Sequence, residues 1–132
     1  MKEDLALLLR RKGYQVVDCG TRGKESVDYP DYAAAVAGQV AAGNCEAGIV
    51  IDGAGIGSAM AANKVPGIRC ANCHDLATIK NSRRHNDANV LSLGSGVVPM
   101  QLARRMVTVW LETEHDGGRH LNRVRKIMEL ET

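Results

Sequence analysis

Ala47-Gly-Ile-Val-Ile51, followed at once by Asp52-Gly-Ala-Gly-Ile-Gly57, is the stretch on which the fold turns. A short unbroken run of small and apolar residues suits a parallel strand buried on both faces. The glycines after it allow a sharp turn out of the strand and into a helix over about 57–64. Strand, glycine turn and helix make the unit from which parallel sheets covered by helices are built.

The rest of the chain repeats that alternation. Towards the N-terminus, Gly43-Asn44 closes an alanine-rich helix over 31–42, entered at Asp28-Tyr-Pro-Asp31 with Pro30 near its first turn. A polar, glycine-bearing loop over 19–28 precedes it, and Tyr14-Gln-Val-Val17 reads as a strand. Before that, Leu5, Leu8 and Leu9 recur at helical spacing within 2–12, and Gly13 ends the helix. Towards the C-terminus come a strand at Ile68-Arg-Cys70, a short helix over 75–82 and a strand over 88–93. A helix then runs from Pro99 through Trp110, with Leu102, Met106, Val109 and Trp110 on one side, and a last helix covers 119–130. The expected architecture is a single α/β domain over 1–132. It is a three-layer Rossmann-like parallel sheet of four strands with helices on both faces. Ligands of such sheets bind at the carboxyl ends of the strands, so the search for a site belongs after Val17, Ile51, Cys70 and Leu93.

Composition narrows the class. The 132 residues are 45% hydrophobic and 24% charged, with no Phe, one Trp and three Tyr, so the core is aliphatic. A net charge of +2 argues against a nucleic-acid partner. No apolar run reaches the roughly 18 residues that span a bilayer, and Met1-Lys-Glu-Asp-Leu5 has no apolar signal region, so a cytoplasmic location is expected. Of the four cysteines, Cys70-Ala-Asn-Cys73 with His74 matches the pattern for covalent haem attachment. Haem attachment needs export, and a lone Cys-x-x-Cys lacks the second pair of a structural zinc site. Free thiols are expected, with Cys70 in the core, and neither cofactor nor metal.

Gly53-Ala-Gly55-Ile-Gly57 is not a dinucleotide fingerprint, because Ser58 stands where the third glycine would be. It is not a P-loop either, since no Gly-Lys-Ser/Thr follows. Two readings stay open: a cradle whose helix-start N–H groups take a phosphate or oxyanion, or tight packing of strand on helix.

Further motifs add to this loop. Asp28-Tyr-Pro-Asp-Tyr32, Gly53–Gly57, Ala61-Ala-Asn-Lys-Val-Pro-Gly-Ile-Arg69, His85-Asn-Asp-Ala-Asn-Val90 and Gly117-Gly-Arg-His120 occur in this order. Together they resemble the ribose-5-phosphate isomerase B and galactose-6-phosphate isomerase family, from about Lys2 to Ile127. The resemblance implies an aldose–ketose isomerase of sugar phosphates in carbohydrate metabolism, with ribose 5-phosphate and the pentose phosphate pathway the leading expectation. The reaction passes through an enediolate without a metal. Typical members use a cysteine directly before the glycine loop as the proton-moving base; here that position is Asp52, and the threonine after it is Ala54. Asp52 is either the base or a cap on the following turn. An exposed Asp has a pKa of about 3.9; burial under a sugar raises it and nearby N–H groups lower it.

The resemblance further implies that His85 opens the sugar ring. Asn86, Gly53, Gly55, Ile56, Gly57 and Ser58 contact the substrate. Arg119 and Arg123, four apart on one helix face, bind its phosphate. Tyr29 either lines the sugar pocket or serves helix entry. The family works as homodimers or dimers of dimers, with the site at the subunit interface. Typical members also begin with a central strand and an Asp-His pair, giving five strands. This chain begins inside the next helix, through an internal start of a longer protein or as a short form. The departures leave two alternatives to catalysis by this chain alone: a non-catalytic sugar-phosphate-binding protein, or one subunit of a heteromeric hexose-6-phosphate isomerase.

Overall fold

The computed structural model describes residues 1–20 and 28–131. Most of the loop expected over 19–28 lies outside the described residues.

Strand β3 (Val90–Gly94) forms the centre of the sheet, and all its residues are buried. Strand β1 (Gly48–Asp52) pairs with it on one side and β2 (Cys70–Asn72) on the other, both parallel. The sheet order is β1-β3-β2. Side chains alternate across β3, as the pleat requires. Val90 joins Val50, Ala33, Ala37, Ala62 and Ile68 on the face covered by α2 (Tyr29–Ala41) and α3 (Ile56–Ala62). Leu91 and Leu93 enter the larger cluster on the opposite face. That face is covered by α1 (Lys2–Arg11), α4 (Leu76–Arg84) and α5 (Met100–Glu112), through Leu5, Ile79, Met106 and Trp110. The three-layer parallel architecture is therefore as expected.

Local chemistry fixes the helix ends. Asp75 caps α4 in a reciprocal box: its carboxylate accepts from the Thr78 N–H at 2.8 Å, and the Thr78 hydroxyl answers the Asp75 N–H. On α5 the fully buried face is Ala103, Met106, Val107 and Trp110, with the expected Leu102 and Val109 half-buried against the same cluster. The observed set follows i, i+3, i+4, i+7, the stripe that a helix lays on a sheet. The fully buried Trp110 carries the Arg83 guanidinium over its ring at 4.7 Å.

Several expectations need correction. The described sheet has three strands, not four. Residues 14–17 join no ladder; the Tyr14 N–H instead turns back to the Leu9 carbonyl at 3.0 Å. A strand needs a neighbour to take its backbone groups. Here a groove of about 1190 Å³ is lined by Tyr14, Val16 and Val17 as well as by Ile49 and Ile51 of β1. Among the described residues β1 is an edge strand, paired on the β3 side alone. Ile49 and Ile51 are consequently only half-buried, where burial on both faces was expected.

The strand expected at 68–70 lies two residues later, because the ladder pairs Cys70 with Val90 while Ile68 drops into the α2–α3 cluster. All four cysteines are free, but Cys73, not Cys70, is the fully buried one. Partial burial still pushes the Cys70 thiol up to about 12.

The last helix, α6 (Arg119–Glu129), docks largely through polar contacts. Gly67 N–H donates to Glu131 at 2.8 Å, and Arg69, which reaches Met128 Sδ, also donates from Nε to the Asp87 carbonyl at 2.8 Å.

Candidate active site

The expected site residues fall into two groups. The first surrounds the glycine loop at the carboxyl end of β1. Gly55 sits at φ +80°, a conformation suited to glycine, and a Cβ there would meet Asn72 Oδ1 at 2.8 Å. The loop is bolted to the end of β3: Ser95 N–H donates to the Asp52 carbonyl at 2.8 Å, Gly96 N–H to Gly53 at 3.0 Å, and the Ser92 hydroxyl to Gly55. A Cβ on Gly57 would overlap the Tyr29 ring and hydroxyl, so Tyr29 lies over the loop while opening α2 with 45% of its surface exposed. Tyr29 therefore stands at the helix entry and against the glycine loop at once.

Asp52 ends β1 and turns its carboxylate onto the start of α3. It accepts from the Gly55 N–H, from the Ser58 N–H at 3.0 Å and from the Ser58 hydroxyl at 2.6 Å. Burial pushes its pKa up, but the Ser58 hydroxyl and the N–H groups of Gly55, Ser58 and Ala54 together outweigh it and hold the carboxyl below its ordinary value. Ser58 is 2% exposed and faces Asp52 rather than the open side of the loop. Three donors that a ligand would otherwise meet are thus taken by the chain's own carboxylate. Among the described residues, the N–H groups of Ile56 and Gly57 donate to no protein acceptor.

The second group gathers where α4 ends and α6 begins. His85 is the C-cap of α4, and its ring stacks on that of His120, in the first turn of α6, at 4.1 Å and 12°. Asn81 meets His85 Nδ1 at 3.0 Å. Burial first, then His85, Arg119 and Arg123, push the His120 pKa down, against a smaller opposing pull from Asp116. Asn86 is exposed beside His85, and Asp87 takes φ +49°, left-handed backbone that Asp tolerates better than most residues. The turn is held by Arg69, and by Arg83, whose Nη1 donates to Ala88 O at 2.7 Å and Nε to Thr113 O at 3.1 Å. The side chains of Arg119 and Arg123 are exposed and make no hydrogen bond or ion pair with any described residue.

His120 and the clamp residues Arg69 and Arg83 escaped the sequence reading. His120 stood inside a quoted motif, but only folding stacks it on His85.

Comparisons with known proteins identify the family. A family model described as Ribose/Galactose Isomerase matches residues 1–127. The chain belongs to that family. Ribose-5-phosphate isomerase B of Escherichia coli is 44% identical over 99% of this chain and 88% of its own length. A structure of Clostridium thermocellum ribose-5-phosphate isomerase B matches with TM-score 0.97 and 52% identity, over 98% of this chain and 88% of that one. A third, from Mycoplasma genitalium with bound ribulose-5-phosphate, matches with TM-score 0.94 and 38% identity, over 99% of this chain and 89% of that one. The family member described here is an aldose–ketose isomerase of sugar phosphates. No helix among the described residues is long and apolar enough to cross a membrane.

Proposed function

We propose that this isomerase interconverts ribose 5-phosphate and ribulose 5-phosphate. The observation that carries the reading is the cationic cluster at the start of α6, where Arg119 and Arg123 lack protein acceptors beside the stacked His85 and His120. Guanidinium pairs suit a phosphate dianion, and a half-buried imidazole suits proton transfer to a ring oxygen. In this reading His85 opens the ring, and the Asp52 carboxylate moves the proton between C1 and C2. Ile56 and Gly57 N–H groups stabilise the enediolate oxygen, with Asn86 beside it and Tyr29 lining the sugar pocket. The donors around Asp52 keep it ionised, as a base must be, while limiting its strength.

The active unit is proposed to be a homodimer or a pair of dimers. Among the described residues no hydrogen bond or ion pair joins the Asp52 group to the His85 group. Exposed Ile56 and Met60 share one face of α3 beside the loop, and Val97 follows the Ser95–Gly96 turn bolted to it. A second copy covering this apolar rim would bring its His85, Arg119 and Arg123 to the loop. Four free cysteines suit the reducing cytoplasm, where the enzyme is proposed to work.

The test is an isomerase assay of the purified chain over pentose and hexose phosphates, with its mass measured in solution. Turnover fastest on ribose 5-phosphate supports the reading. Binding without turnover would select the non-catalytic alternative, which Asp52 and Ala54 favour by standing where the family pattern has cysteine and threonine. Activity arising only with a homologous partner chain would select the heteromer.

A further inference from the structure

We propose that His85, His120 and Asp116 form a binding site for a divalent transition-metal ion with the coordination preferences of zinc, and that its occupancy switches the isomerase off. The metal is an inhibitor here and takes no part in the isomerisation. One ligating atom from each residue lies within 4.8 Å of the others. Zinc bonds to imidazole nitrogen and carboxylate oxygen at about 2.0–2.2 Å, which sets tetrahedral ligands roughly 3.3–3.5 Å apart. Contraction by about an ångström therefore closes the site.

The three side chains stand on different elements, so the contraction needs no helix to deform. His85 caps α4, His120 opens α6, and Asp116 lies on the segment between α5 and α6. The Asp116 backbone is tied to α4 by its N–H to the Arg84 carbonyl at 2.9 Å, while its side chain is exposed and free to swing. The two rings are stacked at 12°, and ring rotation turns their lone pairs onto one ion. His85 keeps Asn81 within hydrogen-bond reach, the kind of second partner that fixes a ligating ring. Arg119 and Arg123 oppose a cation here, so the site is of moderate affinity, and a sugar phosphate drawn to the same arginines competes with the metal.

Cys70 and Cys73 are the rival zinc ligands. Burial raises both thiols, Cys70 to about 12, and zinc binds the thiolate. The cysteine pair also supplies two ligands where the His–His–Asp set supplies three.

The binding claim stands on geometry alone; the switching claim rests on the proposed role of His85. Zinc chloride titrated calorimetrically into chelator-treated wild-type protein should bind one equivalent per chain and inhibit turnover competitively with sugar phosphate. Cobalt(II) should give the visible absorption of a low-coordinate nitrogen–oxygen site. Asp116→Asn should keep the metal-free turnover and bind zinc at least ~10-fold more weakly, and His120→Asn should bind still less. A Cys70→Ala/Cys73→Ala variant should bind as the wild type does. Equal zinc affinity in wild type, Asp116→Asn and His120→Asn overturns the site, as does loss of binding in the double cysteine variant. Binding with unimpaired turnover overturns the switch. Zinc binding as described by a chain that turns over no sugar phosphate leaves the site standing and removes the functional reading instead.

Discussion

The glycine loop and the start of α6 differ in where their polar atoms go. At the loop, the chain largely answers itself: Asp52, Ser58, Ser92, Ser95 and Gly96 all find partners between the loop and the end of β3. At α6, Arg119 and Arg123 find none among the described residues, although Arg69 and Arg83 close by are fully engaged in clamping backbone. A group whose hydrogen bonds are closed internally fixes shape, and an exposed one without a protein partner is free to take a ligand in place of water. In the proposed reading the loop is thus the rigid half of the site and α6 the receptive half. In that reading Asp52 and the open N–H groups of Ile56 and Gly57 sit in the rigid half while being asked to do chemistry.

The sharpest way to break that division is Asp52→Asn. If the carboxylate moves the proton, kcat should fall by about 10²- to 10⁴-fold, with KM little changed. Retained turnover would mean that Asp52 only caps the loop. A thermal melt run alongside separates lost chemistry from the disturbance of placing an amide among donors. The receptive half is tested by Arg119→Ala and Arg123→Ala. Each should raise KM for the sugar phosphate roughly 10- to 100-fold, because a charge-assisted hydrogen bond to phosphate is lost while the fold stays intact. An unchanged KM in both would remove α6 from the phosphate site. Rigidity itself is tested by Gly94→Ala. Its Cβ would meet the Ala54 carbonyl oxygen at 2.6 Å, a backbone atom that cannot step aside, so unfolding free energy should drop by about 1–3 kcal/mol in a denaturant titration.

The two halves were also unequally legible in the sequence. Residues 47–51 read correctly as a strand because they are a continuous run of small and apolar residues, and residues 88–93, apolar at Val90, Leu91 and Leu93, are their partners. Residues 14–17 misled because strand propensity is expressed only beside a neighbour, and nothing in the local pattern says whether one is there. The two-residue displacement of β2 has a similar source, since Ile68 is apolar for the sake of the helix-side cluster and not of the ladder. At the site, Asp52, His85, Arg119 and Arg123 were found by motif register. The donors that surround Asp52 were not, because they converge only when the glycines turn. The stack of His120 on His85 joins segments distant in sequence, which periodicity cannot couple.

The mildest test asks how much of the rigid half serves Asp52 rather than the fold. Ser58→Ala removes one donor from an ionised carboxylate and leaves the Gly55 and Ser58 N–H groups in place. Since the Ser58 hydroxyl is among the groups holding the Asp52 pKa down, its loss should move that pKa up, towards the ordinary carboxylate value. A depressed folded pKa stabilises the protein fully above the unfolded value of about 3.9 and ceases to do so as pH falls through the folded one. The wild type should therefore be slightly more stable than Ser58→Ala at neutral pH, and the two melting curves should converge as pH drops below about 4. A gap that persists into acid would mean that Ser58 matters only as packing. If convergence comes with a kcat loss of only a few-fold and an acid limb displaced to higher pH, Ser58 is a positioning residue. It would then tune the base without touching the sugar, contrary to the substrate contact expected of it from sequence.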